Sequence, residues 1–152
     1  HSDAKLAQAM ALGLQGGVNY GQTDWSAQAK ALAGGGFDLI VDGAGGAGFG
    51  DLLRLLNPAA RLVYYGGTRG KWPQILPQRL FYRQVDLLAS TMGSPEEMDA
   101  LLAYVQTHQI QPVVAHCFPL AKGAEAFAYL EANQQFGKVV LEMTANDPGS
   151  ER

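Results

Sequence analysis

The sequence has one cysteine, no surplus of positive charge, no long apolar run and one extended stretch without a carboxylate. The lone Cys117 excludes an intrachain disulfide and any zinc site built from several cysteines. The formal net charge is −3, and Arg54, Arg61, Arg69, Arg79 and Arg83 are scattered rather than clustered, so the chain offers no basic field to a nucleic-acid backbone. No nucleic acid is expected as a partner. Apolar segments stay well below the roughly 20 residues that span a bilayer, and no basic start followed by an apolar core marks a leader. No membrane association is expected, and the cytosol (a cytoplasmic location) is the expected compartment. The carboxylate gap runs from Asp51 to Asp86 and bears on nucleotide binding below.

What is present is the material of a globular α/β domain. At 152 residues and 47% hydrophobic, the chain can bury one real core. Ser2 or Asp3 can cap a helix with Leu6, Ala9 and Met10 at helical spacing, followed by a short strand at Gly17-Val18-Asn19-Tyr20. A second helix starts at Thr23 or Asp24 and runs to about Ala33. Phe37–Val41 is an apolar strand, Gly43–Gly46 a turn, Asp51–Leu56 a helix and Arg61–Tyr65 another strand ending at Gly66-Gly67. Residues 71–83 read as irregular, and Val85–Ala89 as a strand. Ser94-Pro95-Glu96-Glu97 is a capping box with proline at the first helical position, opening a helix whose Met98, Leu101, Leu102 and Val105 share one face. A strand at 113–118, a helix at 121–132 and a strand at 138–142 follow, and the tail from Thr144 to Arg152 reads as frayed. Alternating helices and strands predict a parallel sheet with helices on its faces.

Gly43-Ala44-Gly45-Gly46-Ala47-Gly48 fits the G-x-G-x-x-G spacing of a dinucleotide fingerprint, and it stands between a strand and a helix. That fingerprint also calls for an acidic residue some 20 positions on, at the end of the next strand, to hold the ribose hydroxyls. Here that strand ends in Gly66-Gly67-Thr68-Arg69, inside the carboxylate gap. A literal fingerprint would leave Arg69 to accept a 2′-phosphate. The preferred reading is a tight turn whose small residues flank the cofactor.

Taken in order, several segments carry a resemblance: Asp3-Ala4-Lys5-Leu6, Gly17-Val18-Asn19-Tyr20, Phe37–Asp42, Leu56-Asn57-Pro58 through Val63, Ser90–Ser94, Phe118-Pro119-Leu120 and Phe136-Gly137-Lys138 through Leu141. Over residues 2–143 the chain resembles the medium-chain dehydrogenase/reductase superfamily, the zinc alcohol dehydrogenases and the quinone oxidoreductases. The resemblance implies an α/β fold, a Rossmann-like parallel sheet flanked by helices. It also implies truncation, with the first β-α-β unit and the catalytic domain missing, and with residues 112–143 returning toward that domain. The expected function is the cofactor-domain fragment of an NAD(P)-dependent oxidoreductase that moves hydride between nicotinamide and a carbonyl, alcohol, enone or quinone, inactive by itself. No proton-transfer residue can be assigned within the chain. Zinc, if used, would belong to the absent domain.

The same resemblance implies roles for particular residues. Lys5 follows the position whose lysine lies near the adenosine ribose or its 2′-phosphate, and Tyr20 resembles a tyrosine that packs there, which favours NADP over NAD. Gly43, Ala44, Gly66, Gly67 and Thr68 follow strand ends, where backbone groups would face the nicotinamide amide and ribose. Phe136, Gly137 and Lys138 resemble a closing segment near the cofactor. A homodimer through the sheet edge at Val85–Ala89 is expected, since an apolar edge needs pairing or cover. Asp86 is expected to pair with Arg83 or Arg79, and His116 and Cys117 to point to opposite faces of one strand. Two alternatives stay open on the residues alone: a class I methyltransferase-like domain and a non-catalytic oligomerisation module.

Overall fold

A computed structural model describes residues 2–143 of the chain; the expectation for the 144–152 tail lies outside them. The residues group into two compact units that divide between Gly93 and Ser94.

In the first unit, α1 (Asp3–Ala11) begins at Ser2, whose side chain accepts a hydrogen bond from the Lys5 amide. Asp3 is therefore a first-turn acid and not the cap. Next come α2 (Trp25–Leu32), β1 (Phe37–Asp42), α3 (Phe49–Leu55), β2 (Leu56–Tyr64), α4 (Gln78–Phe81) and β3 (Asp86–Ala89). The three strands form a parallel sheet in the order β1-β2-β3, with Ile40 beside Leu62 and Leu62 beside Leu87.

Strand alternation sends Ile40, Leu62 and Leu87 to one face, where they meet Phe49, Leu53, Leu56 and Ala60 as the core. The other face carries Leu39, Val41 and Leu88, which are 55%, 61% and 44% exposed. Phe49 is the centre of the core. Its ring stacks on Trp72 at 3.7 Å and meets Tyr64 edge-on at 6.2 Å. Trp72 thereby ties the irregular segment after β2 to the sheet.

The expected strand at Gly17–Tyr20 does not form. A strand needs neighbouring backbone to pair with, and the described sheet has β1 at its edge. Asn19 instead bends the chain: its carbonyl accepts from the Gln22 amide at 3.0 Å and its side chain from the Gly21 amide at 3.0 Å. β2 begins at Leu56, earlier than expected, because Leu56 pairs with Phe37 across an irregularity centred on Ala59, where φ is 59°. Within the segment expected to be irregular, Pro77 starts the short α4. Asp86 pairs across the sheet with Arg61 at 3.7 Å, not with Arg83 or Arg79. Both side chains are exposed, so this bridge adds little. Arg83 instead donates to the carbonyls of Leu53 and Leu56 at the end of α3.

In the second unit, α5 (Pro95–Thr107), β4 (Val114–Pro119), α6 (Gly123–Glu131) and β5 (Lys138–Glu142) follow, with a 3-10 turn at Leu120–Lys122. β4 and β5 pair with each other in parallel. Along β4, His116 and Phe118 share a face and meet Tyr129 of α6, while Cys117 takes the other face and is exposed.

The capping box stands as its sequence states. Ser94 Oγ accepts from the Glu97 amide, and the Glu97 carboxylate accepts from the Ser94 amide at 2.7 Å. The Ser94 hydroxyl, and then the Glu96 backbone amide, hold the exposed Glu96 carboxyl below the ordinary glutamate value. A lowered value means that this contribution is present above the ordinary glutamate pKa and is lost as pH falls through the lowered one. Ser94→Ala should cost the helix about 0.5–2 kcal/mol. Amide exchange would show it as faster exchange at Glu97, and NMR titration as a rise in the Glu96 midpoint; unchanged exchange would count against the cap.

Candidate functional site

β1 and β2 end side by side, Asp42 opposite Tyr64, and the two loops that leave them run together. The Tyr65 amide donates to the Asp42 carbonyl at 3.1 Å and the Arg69 amide to the Ala44 carbonyl at 2.9 Å. The loops approach so closely that a Cβ on Gly66 would stand 2.3 Å from the Gly43 carbonyl oxygen. Only glycine permits that contact.

Asp42 organises the turn. It is 8% exposed, and its two carboxylate oxygens accept from the amides of Ala44 at 2.9 Å and Gly45 at 3.0 Å. These are amides that a phosphate cradle would aim at its ligand. Here the Asp42 carboxylate already occupies them, so these two amides are not open to a phosphate. The strand-turn-helix context of the fingerprint is real, and its electrostatics are reversed.

A cavity of about 390 Å³ opens at this end of the sheet. Tyr20 and Trp25 supply aromatic walls, and the turn contributes Ala44, Gly45, Ala47 and Gly48. Asp42, Asp51 and Arg69 bring charge to its lining. The Asp51 carboxylate is bonded to Arg54, and the Arg69 guanidinium carbon lies 5.0 Å from the centroid of the Tyr20 ring, over its face.

Of the residues singled out in the sequence, Tyr20 and Ala44 line this cavity. Gly43 and Gly66 make the backbone contact behind it, and Gly67 and Thr68 lie on the exposed turn that leads to Arg69. Lys5 stands half-buried on α1, and the first turn of α1 is joined to the Tyr20 segment by a 2.8 Å bond from Asn19 Nδ2 to Asp3 Oδ1. Phe136, Gly137 and Lys138 belong to the second unit. There the Lys138 amide donates to the Val113 carbonyl at 2.8 Å, and Gly137 has a φ of 106° with no room for a side chain beside that carbonyl.

Sequence reasoning passed over Asp42 and Trp25. An aspartate before Gly-Ala-Gly at a strand end is the available signal for the first, since short acidic side chains bond their own following amides. No local signal marks Trp25.

No group of three His, Cys, Asp or Glu side chains that could hold a metal ion lies together among the described residues. They do not fit a zinc site. No helix among them is long and apolar enough to cross a membrane.

Residues 12–141 match the family model described as zinc-binding dehydrogenase. The chain is 33% identical over 157 residues to the zinc-type alcohol dehydrogenase-like protein YogA of Leptosphaeria maculans, covering 93% of this chain and 42% of that protein. It is 30% identical over 152 residues to quinone oxidoreductase-like protein 2 of Rattus norvegicus, covering 93% and 43%. A crystal structure of an NAD-dependent alcohol dehydrogenase superposes with a TM-score of 0.82 at 35% identity, over 94% of this chain and 42% of that one. The chain thus spans less than half the length of these relatives. Its α/β fold of parallel strands flanked by helices is the Rossmann-like cofactor-domain fold of alcohol dehydrogenases. The chain belongs to the zinc-binding dehydrogenase family, of which it represents the cofactor-domain part.

Proposed function

We propose that the chain is the dinucleotide-binding part of an NAD(P)-dependent oxidoreductase acting on a carbonyl, alcohol, enone or quinone. The observation that carries this reading is the cavity at the carboxyl ends of β1 and β2, where open α/β sheets take their ligands. Its walls suit such a cofactor: flat apolar surface from Tyr20 and Trp25, a close-packed glycine turn, and a cation. A bound nicotinamide would supply the hydride chemistry. The chain's own residues would seat it, with the backbone at Gly43, Ala44, Gly66, Gly67 and Thr68 forming the rim. Polarisation of the substrate, by zinc or by side chains, would come from a catalytic part outside this chain, leaving the chain inactive by itself.

Lys5 and Tyr20 favour NADP over NAD in this reading, because a cation beside a 2′-phosphate gains a charge-assisted hydrogen bond. β3 pairs only with β2 among the described strands, and its outer edge is proposed as the seam of a homodimer. A cytoplasmic location is part of the same proposal.

Thermal-shift titration with NADPH, NADH and S-adenosylmethionine tests the reading, since a ligand of the native state raises its stability by mass action. A shift with NADPH, smaller with NADH and absent with S-adenosylmethionine, is the expected result. Lys5→Ala should then lose about 1.5–3 kcal/mol of NADPH affinity and none for NADH. No shift with either dinucleotide would refute the proposed function, and equal losses would refute the phosphate role of Lys5.

A further inference from the structure

We propose that Arg69 is the phosphate-recognising cation of the cavity, seating an oxyanion of the dinucleotide while its guanidinium rests on Tyr20. The inference rests on the cofactor reading above and deepens it.

Four observations converge. Among the described residues, Arg69 is the one cation in the cavity lining. The two carboxylates that share the lining are already engaged, Asp42 by the amides of Ala44 and Gly45 and Asp51 by Arg54. Among the described residues no carboxylate lies within ion-pair distance of Arg69, so its charge is available to a ligand. Finally, the residue is held from both ends. Its amide donates to the Ala44 carbonyl at 2.9 Å, and its guanidinium carbon lies over the Tyr20 ring at 5.0 Å.

The chemistry follows from the shape of the group. An arginine resting on an aromatic face keeps its N–H donors in the guanidinium plane, where they can meet two oxygens of one phosphate. Because the backbone and the ring already position it, little side-chain freedom is lost when the anion arrives. An anion site is thus supplied by a side chain from the second loop, in place of the Ala44 and Gly45 amides that Asp42 occupies. The oxyanion recognised is a phosphate of the dinucleotide, whether the 2′-phosphomonoester or the pyrophosphate diester.

The test is binding of NADPH and NADH to the 152-residue chain, read by tryptophan fluorescence, because Trp25 lines the same cavity. Arg69→Ala keeps the Cβ and carbonyl that pack against Gly46 and removes the guanidinium together with its aliphatic stem. It should weaken binding about ten- to a hundredfold, the range of one hydrogen bond to a charged group. Loss confined to NADPH identifies the 2′-phosphate as the source, and equal loss for both identifies the pyrophosphate; either supports the proposal. Arg69→Lys should recover part of the loss, since it restores charge without the planar fork. Should Arg69→Ala melt below the wild type, Arg69→Gln carries the same comparison with the aliphatic stem retained. Wild-type affinity for both dinucleotides in these variants would overturn the role of Arg69 and leave the cofactor reading standing. A wild-type chain that binds neither dinucleotide would overturn both.

Discussion

Phe49→Ala should destabilise the first unit by about 3–5 kcal/mol, the usual cost of removing a large aromatic from a core. Phe49 is 0% exposed, packs with Leu53, Leu56 and Leu62 in the core, and joins α3 to the segment carrying Trp72 by ring stacking. Truncation would leave a void that the parallel strands cannot close without moving, and it would also remove two aromatic pairs. Urea denaturation followed by fluorescence is the measurement, since Trp25 and Trp72 are the only tryptophans and both lie in the first unit. A loss below about 1 kcal/mol would mean that this packing is wrong, because surface substitutions seldom exceed that value.

Asp42→Ala should cost about 2–4 kcal/mol. Each hydrogen bond from an amide to a buried carboxylate contributes about 1.5–3 kcal/mol, and two are lost here, partly offset by no longer burying a charge. The amides of Ala44 and Gly45 would lose the acceptors that fix them, so the Gly43–Gly46 backbone should loosen. Asp42→Asn should lose less, because its carbonyl oxygen still serves one amide. Amide exchange at Ala44 and Gly45 checks the mechanism: both should exchange faster in Asp42→Ala than in the wild type. If stability falls while those two amides stay protected, the carboxylate does not hold the turn.

Much of the fold was legible because it depends on local signals. The short apolar run Phe37–Val41, set between glycines, reads as a strand, and Ser94-Pro95-Glu96-Glu97 specifies a helix start to the residue, through bonds that close within four positions. Gly17–Tyr20 shows where local reading fails. Its residues suit a strand, but a strand exists only where another backbone completes its hydrogen bonds, and Asn19 bonds its own neighbours instead.

The site was legible in its glycines and not in its charges. Gly43 and Gly66 announce a turn, and strand order brings the two turns together. That Asp42 would satisfy Ala44 and Gly45 could not be seen, because it depends on the direction in which the strand delivers its last side chain. Arg69 and Tyr20 are far apart in sequence and meet only after the sheet and the Tyr20 loop are built. The fingerprint spacing at Gly43–Gly48 was read correctly as a tight turn, and the buried carboxylate supplies the physical reason.

The central claim is that a nicotinamide adenine dinucleotide occupies the cavity at the carboxyl ends of β1 and β2. Amide NMR of the chain titrated with NADPH tests it most directly, because each perturbed signal reports a location. The account predicts saturable shifts at Ala44, Gly45, Gly66 and Gly67 and at the Trp25 indole, with the core amides of Leu53 and Leu62 little changed. Saturation with shifts confined to residues outside that cavity, or no shift at all at millimolar NADPH, would contradict it.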